Sequence, residues 1–222
     1  MSGARVIPIL EWMLMQVETH THRQADSESV ADRFSACMEL GGHYLSAGRY
    51  VQARQCYRNA AQLRCDAAAH VGIGASALRM DSLDEAEQAY RKAVRMDPMC
   101  GPALNGLGTV AERRGCFDEA YEFYAQSLDR DGADAEALLG LFQMSCRTGR
   151  FEGALARFER TVSSGACPAD KAVRFSLAVL YHKLGRLPDA RKVLMEILSD
   201  SRDYSCAADL LEEVELRLGA ES

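Results

Sequence analysis

Apolar residues recur every three or four positions through most of this chain, the spacing that gathers them on one side of a helix. No stretch shows the alternation of a half-buried strand. Between the apolar stretches stand five turns of one form: a glycine-like residue, then an aromatic or leucine, then alanine. They are GRYVQA (48–53), DSLDEA (81–86), GCFDEA (115–120), GRFEGA (149–154) and GRLPDA (185–190). Their closing alanines, Ala53, Ala86, Ala120, Ala154 and Ala190, lie 33, 34, 34 and 36 residues apart. A helical pattern with that period predicts an all-α solenoid of antiparallel helix pairs.

Within each period further positions repeat. A unit begun at Phe34 has Leu40, Gly41, Tyr44, Ala53, Tyr57 and Ala60 at its seventh, eighth, eleventh, twentieth, twenty-fourth and twenty-seventh places. The second, from Ala67, has Ile73, Gly74, Ala86, Tyr90, Ala93 and Pro98. From Gly101 the third has Leu104, Leu107, Gly108, Ala120 and Tyr124, and from Ala135 the fourth has Leu138, Leu141, Ala154 and Phe158. The fifth, from Lys171, has Leu177, Ala178, Tyr181, Ala190 and Leu194. Small residues let the paired helices approach, and large ones fill the gaps between pairs. This pattern resembles the tetratricopeptide repeat family, whose unit is 34 residues. The resemblance implies a right-handed superhelix, here in five units: 34–66, 67–100, 101–134, 135–170 and 171–204.

Some positions depart from the pattern. Unit four has Phe142 where a small residue is usual and Ser145 where tyrosine is usual, an exchange that conserves volume. Unit five has Ile197 for alanine, and the longer linker 163–170 before it predicts a local change of superhelix angle. Asp81 replaces the turn glycine of unit two, at a cost if that position needs positive φ. Residues 205–222 read as a capping helix and tail, with Leu210, Leu211, Val214 and Leu218 as the apolar stripe.

The front of the chain, residues 1–33, holds an apolar run and a polar linker. VIPILEWMLMQV (6–17) is too short for a membrane span and carries Glu11. It lacks a cleavage site of the secretory kind. Pro8 and the set Ile9, Leu10, Trp12, Met13 and Val17 predict a short helix with a broad sticky face. It caps the open end of unit one, or it docks in a concave groove, its own or a neighbour's. The second reading makes the protein a self-assembling homo-oligomer, and coat-forming bacterial tetratricopeptide scaffolds have a similar five-unit layout.

Composition narrows the chemistry. A net charge of −6 lacks the basic surplus of most nucleic-acid binders. Eight dispersed cysteines with no CxxC pair argue against zinc and for reduced, mostly buried thiols in a cytoplasmic protein. No phosphate-binding glycine loop, HExxH or GxSxG is present, and His20-Thr-His22 is weak as a metal site. The paired acids Asp84-Glu85 and Asp118-Glu119 suit helix N-termini. An enzyme, a cofactor and a metal are therefore not expected.

Binding remains. The resemblance implies that the first helix of each unit lines a concave groove. Its fifth places are Met38, Val71, Asn105, Leu139 and Phe175, and its ninth Gly42, Ala75, Thr109, Gln143 and Val179. The twelfth are Leu45, Leu78, Glu112, Cys146 and His182, and the thirteenth Ser46, Arg79, Arg113, Arg147 and Lys183. The floor is small or apolar and one edge basic, which fits an apolar peptide or helix of a partner, its direction set by acidic residues. Met38 and Gly42 stand where the lysine and asparagine of a chaperone-tail clamp would be, so chaperone-tail binding is not expected. The expected function is a protein-interaction adaptor, with the self-assembling scaffold and a chaperone for a secretion or pilus-assembly component as alternatives.

Overall fold

The computed structural model describes residues 30–130, 134–163, 170–201 and 203–220. The apolar run 6–17, its linker and most of the 163–170 linker lie outside them, and so does Cys167. The described residues form eleven α-helices and no strand. The first helices of the five pairs are α1 (30–46), α3 (Ala67–Arg79), α5 (Gly101–Arg113), α7 (Ala135–Thr148) and α9 (Lys171–Lys183). Their partners are α2 (Tyr50–Leu63), α4 (Leu83–Met96), α6 (Phe117–Arg130), α8 (Phe151–Ser163) and α10 (Leu187–Asp200), and α11 (Ser205–Ala220) closes the array.

The turns work as their sequences demand. Gly48, Gly115, Gly149 and Gly185 take φ between 72° and 77°. Asp81 adopts φ 58° at the equivalent place in unit two, where a side chain is disfavoured. Each second helix opens on the aromatic or leucine of its turn, and α4 and α6 carry the paired acids Asp84-Glu85 and Asp118-Glu119 in their first turns. Pro102 and Pro188 sit in first turns, where a missing N–H costs least.

The alanines at the twentieth place, Ala53, Ala86, Ala120, Ala154 and Ala190, are fully buried. The alanines belong to four hydrophobic clusters, each of which reaches from one pair into its neighbour. Phe142 enlarges a position that is small elsewhere, and α7 and α8 pack less extensively than α3 with α4, α5 with α6 or α9 with α10. Ser145 is fully buried beside it and donates to the Phe142 carbonyl at 2.7 Å. The curvature follows from the packing. Successive first helices α3, α5, α7 and α9 touch one another, whereas among the second helices only α6 and α8 pack comparably. First helices therefore crowd the inner side and second helices splay on the outer. Outside, ion pairs tie units together, as Arg54 and Arg58 on Glu85 and Arg157 and Arg160 on Asp129 do.

Two expectations are corrected. None of the seven described cysteines is buried; Cys65, Cys116, Cys146 and Cys206 are exposed and Cys37, Cys56 and Cys100 half-buried, all as free thiols. The reason is location: Cys65, Cys100 and Cys116 lie between helices, where little packs over them. Leu40, expected to fill a gap between pairs, is 46% exposed, while Ile73, Leu107, Leu141 and Leu177 at the same place are exposed by 8% or less.

Candidate inner-face binding site

The inner face is built from the first helices, and its character changes along the array. In units one and two, Met38, Gly42, Leu45, Val71, Ala75 and Leu78 are all half-buried, covering the core while keeping surface toward the groove. In unit three the corresponding places are polar and engaged with one another. Asn105 donates to Asp134 Oδ2 at 3.0 Å, and Asp134 caps α7 by accepting from the Glu136 and Ala137 amides. Leu139, Phe175 and Val179 are half-buried, and Gln143 and Cys146 exposed.

Long side chains at the thirteenth place do not form a free row. Arg113 Nη1 donates to the Leu78 carbonyl at 3.1 Å and to Asp81 Oδ1 at 3.2 Å, clasping the turn of the preceding unit. The Arg147 guanidinium lies 4.9 Å from the Phe117 ring centroid, again reaching back one unit. Arg79 and Lys183 are exposed and form no ion pair among the described residues. Ser46 is exposed, its hydroxyl bonded to the His43 carbonyl.

At the far end α11 alters the site. His182 is only 9% exposed, with Nε2 at 3.1 Å from Arg217 Nη1 and 3.3 Å from Glu213 Oε1. Phe175 packs edge-on against Tyr204 at 5.6 Å. Expected as open groove residues, both are partly claimed by the terminal segment. Arg217 stands 34 residues after Lys183. Ala207 and Val214 repeat the burial of Ala103 and Val110, so α11 packs on α10 with the burial pattern of a first helix.

Residues that sequence reasoning placed in the core also reach this face. Tyr57, Tyr90 and Tyr124 come from the outer helices and thread between pairs of glycines: Gly41 and Gly72, Gly74 and Gly106, Gly108 and Gly140. A methyl group on any of the six would fall within 3 Å of the ring, so each pair of backbones forms a slot for one phenol. The Tyr124 hydroxyl emerges beside the ninth and twelfth places, 2.9 Å from Glu112 Oε2 and 3.3 Å from Thr109 Oγ1. Burial raises the pKa of all three phenols, so they stay protonated donors. A tyrosine sixteen residues after one glycine and fifteen or sixteen before another is the signal that could have revealed them.

No metal-binding cluster occurs among the described residues, and no described helix is long and apolar enough to cross a membrane. A stack of helix pairs with a graded inner face is a helical-repeat scaffold of the kind that carries protein–protein interactions. A family profile described as "Tetratricopeptide repeat" matches residues 38–98, 71–135 and 147–205, and the chain belongs to that family. No curated protein matches it. Among solved structures, Pseudomonas aeruginosa pilF is similar at 19% identity and TM-score 0.63, over 86% of this chain and 92% of that one. A tetratricopeptide repeat protein from Parabacteroides merdae ATCC 43184 has 15% identity and TM-score 0.61, over 85% and 74%. YrrB, described as having an unusual peptide-binding site, has 19% identity and TM-score 0.58, over 79% and 90%. At these identities the likeness concerns the fold alone.

Proposed function

We propose that this protein is a non-enzymatic adaptor that binds a segment of a partner polypeptide on the inner face of units one to three. The observation that carries the reading is the half-buried apolar floor of Met38, Gly42, Leu45, Val71, Ala75 and Leu78, with unpaired Arg79 at its edge. Burying such a floor drives association, and the arginine gives direction through an acidic residue of the partner. Exposed free thiols suit the reducing cytoplasm. Affinity capture from the native cell, followed by calorimetry on the partner obtained, tests it. Ala75→Arg, which fills the floor, should abolish binding with an unchanged far-UV CD spectrum. Retained binding would refute the site.

We further propose that residues 6–17 cap unit one rather than dock in a groove. Ala36, Leu40 and His43, on α1, lie at the third, seventh and tenth places of unit one and are exposed. The residues at the third, seventh and tenth places of units two to five are all buried against the preceding pair. These places form a stripe on one helix face, and in α1 that stripe has no preceding pair to cover it. The linker 18–29 spans up to about 40 Å, ample for the run to fold back over it. Deleting residues 1–25 should lower the thermal midpoint and leave the mass by light scattering unchanged. A wild-type oligomer that the deletion dissolves would instead favour docking in a neighbour.

A further inference from the structure

The three threaded tyrosines are alike in placement but not in what their hydroxyls find. In unit three the hydroxyl meets Thr109 and Glu112. In units one and two the same two places are Gly42 and Leu45, and Ala75 and Leu78, which offer no side-chain acceptor. Tyr57 is 7% and Tyr90 3% exposed, yet neither hydroxyl has a hydrogen-bond partner among the described residues. Both point inward. A methyl on Gly42 would stand 3.8 Å from the Tyr57 hydroxyl, and the Tyr90 ring passes between Gly74 and Gly106 of the inner helices α3 and α5 with its Cζ the atom nearest Gly106.

A ligand that covers this floor expels the water these phenols would otherwise bind, and must replace it with an acceptor. An α-helix is poorly suited, because all but its last four carbonyls are engaged internally. An extended chain has every carbonyl free. Neighbouring first helices pack about 8–10 Å apart, close to the span of three extended residues. We infer that units one and two recognise an extended, apolar partner segment. Backbone carbonyls about three residues apart accept from Tyr57 and Tyr90, and an acidic side chain pairs with Arg79. This rests on the inner-face reading proposed above and specifies its ligand.

The test uses a displayed library of nonapeptides built from Ala, Val, Leu, Ile, Pro and Glu, selected on the full-length protein. A selected peptide is then titrated by calorimetry against variants whose thermal midpoints are also recorded. Tyr57→Phe with Tyr90→Phe should weaken binding about tenfold or more, while Tyr124→Phe changes it less than twofold. Selected peptides should contain glutamate and tolerate a central proline, which an extended chain accepts and a helix does not. If Ala75→Arg abolishes binding but the double phenylalanine variant binds as well as wild type, this inference falls and the inner-face site stands. Binders that require helix, with proline excluded, overturn it likewise. Recovery of no peptide that Ala75→Arg releases overturns both.

Discussion

Replacing Gly140 by alanine should destabilise the protein although alanine is the better helix former. The added Cβ would stand 2.6 Å from Tyr124 Cζ and 2.7 and 2.8 Å from the two Cε atoms, against an ordinary contact of 3.4 Å or more. The ring cannot retreat. Gly108 lines the other side so closely that a Cβ there would also stand 2.8 Å from the ring, and the hydroxyl is bonded to Glu112 and lies within reach of Thr109. Overpacking of this sort costs about 1–3 kcal/mol, and more where nothing can yield. Helix propensity returns about 1 kcal/mol. Because the ring cannot retreat, the upper end of that range applies, and the expected net loss is about 2 kcal/mol, a fall in thermal midpoint of roughly 4–8 °C for a chain this size. Gly42→Ala is the control, because its Cβ meets only the Tyr57 hydroxyl at 3.8 Å. Relieved of the clash, it should stabilise by about 0.5–1 kcal/mol. The assay is CD-monitored thermal and urea unfolding of both variants. Repeating Gly140→Ala in a Tyr124→Leu background closes the cycle. There, with the ring gone, the substitution should be neutral or favourable. A Gly140→Ala protein as stable as wild type, or one equally damaged in both backgrounds, would refute the slot.

The hydroxyls can be ranked the same way: Tyr124→Phe should cost about 1 kcal/mol because it removes the bond to Glu112, whereas Tyr90→Phe should be near neutral, by the same unfolding curves. Asp81→Gly should raise the thermal midpoint slightly, since relief of the φ 58° backbone outweighs loss of the exposed pair with Arg113. Burial, and then Lys92, hold the His70 pKa below its ordinary 6.5. The unfolded chain then binds a proton the folded chain refuses, so stability should fall as pH drops through about 6.5, and His70→Gln should flatten that slope between pH 7.5 and 5.5. Deleting residues 205–222 should uncover Leu194 and Ile197, both fully buried, and lower the unfolding midpoint or cause aggregation.

Much of this fold is readable in the chain because each repeat states the same constraints again. The turn glycine, the aromatic opening a second helix and the buried alanine are local requirements, and their phase survives single departures such as Asp81 or Ile197. Binding residues are less legible because their availability depends on where long side chains go. Arg113 and Arg147 share a place with Arg79, yet one clasps the Asp81 turn and the other covers Phe117, according to what the preceding unit presents. His182 looks open until α11 is laid beside it. The tyrosines were hidden for another reason. At the twenty-fourth place of an outer helix a phenol reads as core, and only the glycines on neighbouring inner helices show that its tip passes through.

The same glycines explain why the inner face changes character between units three and four. Phe158 succeeds Tyr124 at the twenty-fourth place, Phe142 stands where Gly108 stood in unit three, and Ser176 succeeds Gly140 at the sixth place of the next unit. Without a glycine on either side there is no slot, and without a hydroxyl there is nothing to present. Phe142 instead holds α7 from α8, and Ser176 turns its hydroxyl back to the Ala172 carbonyl at 2.8 Å. Phenol donors threaded between glycines are thus confined to units one to three. Within them Thr109 and Glu112 meet the third phenol internally, which leaves the Tyr57 and Tyr90 hydroxyls as the two without a side-chain partner at the edge of the apolar floor.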